Sequence, residues 1–353
     1  MGRNDFLRHD SLLFRGPCES ISKNCDFIFT IRHFPDTKSY ILTILRRFSP
    51  IQILRHSAPI RSKAIEHSPS NRAIYPLAYS AHCKRNKSAG RTFLMDNVFD
   101  DLLLIQIAYV SVFAPSLFAI LGITFLHFSL WCIYEAGYVE NDRIAATTEA
   151  DGSVPENFAQ FSAAYSEPRA WIFAALLGVI GVVLITYSPF VRRGLGDLPL
   201  QKIVLGTVAW AVLLNAMRLT YWVYNNIDKM SRVYVYPALQ AFKYGFPSLF
   251  LVLEPISAAL LMAQILRRWI PYLIYRYTGI KRHNAPTRLI RLAAFLICAI
   301  LLTDEFDHPE ALWKLGLITF VLVLRANREI RTAMSRFSLV RHDKWKGDDN
   351  TEV

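Results

Sequence analysis

The sequence predicts an all-α fold: a polytopic integral membrane helical bundle of about six to eight transmembrane helices. Three observations carry that expectation. Hydrophobic residues make up 53% of the 353, and the mean hydropathy is positive. Several apolar runs approach or exceed the roughly 20 residues that cross a bilayer. The net charge of +12 is confined largely to one end, because residues 1–94 hold 16 Lys and Arg against 6 Asp and Glu. The rest of the chain is close to neutral, so the basic balance gives no reason to expect a nucleic-acid partner.

Residues 1–94 form a basic N-terminal arm, rich in Arg, Ser, His and Pro, without an apolar run or a sustained helical or strand period. Such a composition cannot bury a core of its own, so the arm is expected to be disordered. No apolar stretch follows the first basic residues, which excludes a secretory signal. Two readings stay open. The arm is an organellar transit peptide, for which Tyr40–Arg61 mixes apolar and basic residues suitably, or the genuine start is Met95.

Residues 95–330 are expected to be the transmembrane domain, and 331–353 a polar C-terminal tail. The apolar runs are Leu102–Gly137, Ala170–Val191, Ile203–Tyr224, Tyr236–Leu266, Leu289–Leu302 and Leu312–Leu324. As single helices the first and fourth would measure about 54 Å and about 46 Å against a hydrocarbon core of about 30 Å. Pro115 interrupts the first, and Gly245, Pro247 and Pro255 the fourth. Each is therefore one tilted span or two short ones joined by a tight turn. The basic segment Arg267–Arg291 and the basic tail are expected on the cytoplasmic side, and the acidic Thr303–Glu310 outside. Five cysteines lack CxxC spacing, which points to neither a disulfide framework nor a zinc site.

Ionisable residues inside apolar runs are costly and default to functional candidates. Arg218, Lys243, Glu254, His127 and Glu135 are of this kind. Arg218 and Lys243 suit an anion if they face one interior. Equally, Arg218 with Glu254 or Glu135 suits a buried ion pair that holds helices in register. His127, among aromatic residues, reads better as a hydrogen-bonded packing residue than as a ligand.

The acidic stretch YEAGYVENDRIAATTEADGSVP (Tyr134–Pro155) leaves the first long run. If it starts as helix, Asp142 and Glu149 are two turns apart on one face, an arrangement that suits Mg2+ with substrate phosphate oxygens. A solvated connection between helices accounts for the same residues. The stretch resembles the NDxxDxxxD motif of the UbiA-type intramembrane prenyltransferases. Asn141 and Asp142 match it, Glu149 replaces its last Asp, and Ala145 stands where the middle Asp belongs. Tyr236, Pro237 and Lys243 resemble that family's Tyr-Pro and basic residue near its fifth helix. Its second Asp-rich motif has no counterpart, since Arg267–Leu302 contains no Asp or Glu.

The resemblance implies an all-helical enzyme acting on an isoprenoid diphosphate with Mg2+. In that reading Asp142 and Glu149 hold the metal, Arg218 and Lys243 neutralise the diphosphate, and Asn141, Trp210 and Tyr221 line the substrate cavity. Membrane lipids are the expected surroundings, in a bacterial inner membrane or an organellar inner membrane. The alternatives are a non-catalytic membrane subunit or lipid-binding protein, and a transporter with broken helices.

Overall fold

The computed structural model describes residues 78–83, 94–110, 114–148, 154–155, 157–189, 198–279, 285–302 and 309–336. Within them the chain is all-helical, without a strand. In chain order the α-helices are α1 (Ala78–His82), α2 (Leu103–Tyr109), α3 (Leu117–Thr147), α4 (Phe158–Ala164) and α5 (Glu167–Thr186). Then follow α6 (Pro199–Asn226), α7 (Arg232–Gly245), α8 (Pro255–Thr278), α9 (Thr287–Ile300) and α10 (Pro309–Arg336). A π-helical segment, Leu94–Leu102, runs directly into α2.

Proline punctuates the apolar sequence. Val110 is extended at the end of α2, and after Pro115 the Ser116 hydroxyl accepts from the Ala119 amide at 3.3 Å to open α3. The other long run breaks at Phe246–Leu249, a single 3-10 turn, before Pro255 starts α8. Pro168 lies in the first turn of α5, while Pro199, Pro255 and Pro309 open α6, α8 and α10. Proline suits that position because the first helical amides have no intrahelical acceptor.

Three of these helices, α3, α5 and α6, are long and apolar enough to cross a membrane. α8 fails that description because Arg267 and Arg268 sit in its middle, and α9 is short. The distribution of polarity is that of a protein in lipid. Arg291 is 0% exposed and Lys314 1%, whereas Leu200 is 72% exposed and Leu301 79%. In water, large apolar side chains go inside and charges stay out. In a bilayer, lipid tails accept the apolar faces and ionisable groups turn inward.

Two groups of helices pack around α7. In the first, α3 lies along α5 and α6, and α5 touches α6. Glycines set the spacing: a Cβ on Gly122 would lie 3.0 Å from the Gly181 carbonyl oxygen, and one on Gly181 3.0 Å from the Gly122 oxygen. Small residues permit such close approach where lipid offers no hydrophobic drive between helices. In the second group α8 packs on α9 and α9 on α10, with α2 against α8 and α10. α7 contacts both α6 and α8.

Several expectations change. The basic segment from Arg267 is not a loop at its start, because α8 continues through Arg276 to Thr278. Its left-handed terminator, Gly279 at φ 72°, is a conformation that glycine adopts at little cost. Within the N-terminal arm, Ala78–Cys83 is ordered and its Ala78, Tyr79, Ser80 and Cys83 are buried. The arm lacks a core of its own, yet Tyr79 and Cys83 find one on Val139 of α3 and Phe158 and Phe161 of α4. α10 extends to Arg336, into the segment expected to be a polar tail. Glu149, Lys281, the acidic Asp304, Glu305 and Asp307, and the remainder of the arm and tail lie outside the described residues.

Candidate functional site

The π-helical segment places two adjacent aspartates at the centre of a ring of cations. Asp100 and Asp101 are both 0% exposed. Asp100 accepts from Arg325 Nε at 2.8 Å and Nη2 at 2.9 Å, from Arg267 at 3.1 Å and from Arg291 at 3.2 Å. Asp101 accepts from Lys243 Nζ and from the Tyr244 hydroxyl, with Arg268 at 3.6 Å. Arg288 completes the ring, 3.7 Å from Asp100 and 4.0 Å from Asp96. Gln264 joins α8 to it by donating to the Asp100 carbonyl and accepting from Arg291.

Helical spacing explains which helices contribute. Gln264 and Arg267 lie three residues apart on α8, as do Arg288 and Arg291 on α9, so each pair occupies one face. Burial by itself would raise both carboxyls. Against it, Arg325, Arg267 and Arg291 hold Asp100 well below the usual carboxylate range, while Lys243 and Arg268 bring Asp101 down to about 2. Both therefore stay ionised.

Among the described residues six cationic side chains thus meet three carboxylates, Asp96, Asp100 and Asp101, an excess of three positive charges in that set, with Glu329 nearby on the Arg288 amide. Several guanidinium N–H groups in this ring are buried without an acceptor among the described residues: Arg267 Nε and Nη1, Arg268 Nε and Arg291 Nε. Beside the ring is a cavity of about 200 Å³ lined by Ser80, Asn97, Trp131, Tyr138, Tyr236, Gln240, Lys243 and Arg268. Lys243 Nζ stands 4.7 Å from the centre of the Trp131 ring. The cavity lining therefore combines aromatic rings with two cations. It can hold an oxyanion against Lys243 and Arg268 while an apolar or cationic group meets the rings.

The wall at Ser80 is fastened to α3. The Ser80 amide donates to Glu135 at 2.7 Å, and the Tyr79 hydroxyl donates to Asp142. Asp142 also accepts from Asn141 Nδ2 at 3.2 Å and is 1% exposed.

Of the residues singled out in the sequence, Lys243 lines the cavity. Tyr221 stands behind it, its ring 6.0 Å from that of Tyr138 and 4.9 Å from that of Tyr134. Trp210 is buried elsewhere, between Phe246, Phe250 and Gly178, and donates to Ser129 at 2.9 Å. Arg218 is not among the lining residues. It bridges Glu140 at 2.7 Å and Glu167 at 2.9 Å, a different pairing from the expected Glu254 or Glu135. Glu254 instead accepts from Lys314. His127 accepts from Trp131 at 3.0 Å inside the core.

Asp100, Asp101, Arg268 and the other arginines of the ring escaped the reading of the sequence. The available signals were two adjacent aspartates ahead of an apolar run, in FDDLLLIQ, and two adjacent arginines in MAQILRRWIPY. Assigning Arg267 and Arg268 to a loop hid the second.

Glu149, the second expected Mg2+ ligand, lies outside the described residues, and Asp142 is the one of the pair that the structure describes. Among the described residues no three His, Cys, Asp or Glu residues form a group able to hold a metal. Asp142 is enclosed by Tyr79 and Asn141, and the two ring aspartates face cations. Comparison with family models, with curated proteins and with solved structures finds no match.

Proposed function

We propose that this is an integral membrane protein of six or more spans that binds the phosphate head of an amphiphile, of the isoprenoid diphosphate class, in the cavity between α3, α7 and α8. The observation that carries this reading is the excess of three positive charges, among the described residues, beside a cavity of about 200 Å³. Lys243, Arg267 and Arg291 are buried, and cations so placed are costly unless anions offset them, while Arg268, Arg288 and Arg325 are 21–29% exposed. Lys243 and Arg268 supply the donors for its oxygens, and Arg presents a planar fork that matches phosphate. Trp131, Tyr138 and Tyr236 supply an aromatic wall for the first carbons of the chain. The exposed apolar faces of α5, α6 and α10 support membrane lipids as the surroundings, and in this reading α8, α9 and α10 would be the further spans beside α3, α5 and α6. A bacterial inner membrane is the location we favour, and an organellar inner membrane the alternative.

Prenyl transfer is the activity that this ligand class suggests. Cationic side chains around a leaving diphosphate stabilise the charge that develops there, and they act more strongly in a site poor in water. A non-catalytic role in lipid binding has an observation of its own. Among the described cavity-lining residues there is no carboxylate or histidine, and Lys243, Tyr138 and Tyr236 are the groups there that could move a proton.

Calorimetry with farnesyl diphosphate and with farnesol on the full chain in lipid nanodiscs tests the binding. The diphosphate should bind, and farnesol should bind far more weakly. Equal binding of the two, or none of either by well-folded protein, would refute the reading. Turnover of labelled farnesyl diphosphate with a membrane extract as acceptor source then separates transferase from binding protein.

A further inference from the structure

We infer that the cavity recognises its phosphate-class anion through protein cations alone, without a bridging divalent metal, and that Mg2+ weakens the binding. The inference rests on the proposed anion-binding role and fixes how that role is carried out.

A metal-bridged diphosphate site needs carboxylate oxygens turned toward the ligand and free to take Mg2+, which demands near-octahedral oxygen coordination. The buried carboxylates described near this cavity are held by donors of the protein itself, and Asp96 lies 4.0 Å from Arg288. Asp101 accepts from Lys243 and Tyr244. Asp100 is surrounded by Arg267, Arg291 and Arg325. Asp142 accepts from Tyr79 and Asn141, and Glu135 from the Ser80 amide. A divalent cation entering the ring would add two charges to a cluster that, among the described residues, already carries three in excess, in a setting where water screens little.

The donors run the other way. Arg268 lines the cavity and keeps its Nε without an acceptor among the described residues. Lys243 is 4% exposed and has one of its three N–H groups on Asp101. Behind them Arg267 and Arg291 retain unpartnered N–H groups, and both are more than nine-tenths buried. A phosphate oxygen at Arg268 completes that residue's donor set and offsets the charge of the others. Asp100 and Asp101 then act as resident counter-ions, which a ligand supplements without replacing.

The sign of the metal effect follows. Mg2+ binds diphosphate in solution and cancels much of its negative charge, so the complex is attracted less strongly to a cationic cavity than the free anion. The full chain in nanodiscs of zwitterionic lipid is titrated with farnesyl diphosphate, first in EDTA and then in millimolar Mg2+. Affinity should be higher in EDTA. Farnesyl monophosphate, which holds Mg2+ less tightly, should show a smaller metal effect. Arg268→Gln, verified as folded by thermal unfolding, should lower the affinity for either ligand by about tenfold. If that variant does not fold, the wild-type titration with and without metal still decides.

Affinity that is equal or lower in EDTA would overturn the metal-free mechanism while leaving the anion site standing. Absence of binding under both conditions would remove the anion site and this inference together.

Discussion

The two helix groups on either side of α7 are held by opposite means. The α3, α5 and α6 group is joined by small residues and rings: Gly122 against Gly181, Gly178 against Trp210, Gly137 against Tyr221. The α8, α9 and α10 group closes on buried charge, with Asp100 drawing Arg267 from α8, Arg288 and Arg291 from α9, and Arg325 from α10. A glycine contact works by shape, falls off within a fraction of an ångström and needs no partner of complementary charge. An aspartate at the centre of several guanidinium groups works over longer distances but demands that charges nearly balance. One group is therefore specified by packing and tolerates no added atom. The other is specified electrostatically and leaves a surplus that a ligand can meet.

The sharpest way to break this comparison is to remove the counter-ion. Asp100→Asn keeps the volume and removes the charge that Arg267, Arg291 and Arg325 share. Arg291 is 0% exposed and Arg267 3%, so neither has water to turn to. The expected loss of stability is about 3–5 kcal/mol, as found when one partner of a buried pair is deleted. Thermal and denaturant unfolding in a fixed lipid or detergent environment reads it. A loss below about 1 kcal/mol, the range of exposed pairs, would mean that the ring is not what holds α8, α9 and α10 together.

A middle-sized effect is expected in the packed group. In Gly181→Ala the new Cβ would meet Leu126 at 2.7 Å and the Gly122 carbonyl at 3.0 Å. A leucine can change rotamer, whereas the backbone carbonyl of a packed helix has nowhere to go. Overpacking of this kind costs about 1–3 kcal/mol. Unfolding measurements should show that loss in Gly181→Ala, while Gly316→Ala is tolerated, because nothing lies within 4 Å of a Cβ there. Equal behaviour of the two variants would show that the contact between α3 and α5 is not tight.

How far each group was legible follows from the same contrast. Hydropathy runs exposed α3, α5 and α6, and Pro115 and Pro255 located the two breaks, because these are local properties of the chain. The ring could not be read in this way. Asp100 and Arg325 are separated by 225 positions, and nothing in the neighbourhood of either names the other. The reading of Arg267 and Arg268 as loop residues came from treating charge as the end of a span. In fact the helix continued and turned the charge inward, and only the contacts of α8 with α7, α9 and α2 make that possible. Lys243 was legible as a cation in an apolar run. Its partner Asp101 was not, since it lies beyond the edge of the apolar run that begins at Leu102.

The smallest effect concerns Arg218, the ion cluster that joins α3, α5 and α6. Its side chain is 17% exposed, and those of Glu140 and Glu167 are 22% and 36% exposed. Solvent at that level screens the pairs and rehydrates whatever is left unpaired. Arg218→Gln should therefore cost about 1 kcal/mol or less, the range of partly exposed pairs, and not the larger loss expected at Asp100. Glutamine retains a donor for one of the two carboxylates, and Asn225 still reaches Glu140 at 3.0 Å. Because Arg218 does not line the cavity, affinity for farnesyl diphosphate should stay within about twofold, well under one hydrogen bond to a charged group. Calorimetry and unfolding on the same preparation separate the two possibilities. A fall in affinity of about tenfold with unchanged stability would place Arg218 at the ligand, as its position in an apolar run first suggested, and would erase the division of labour between the packed and the charged group.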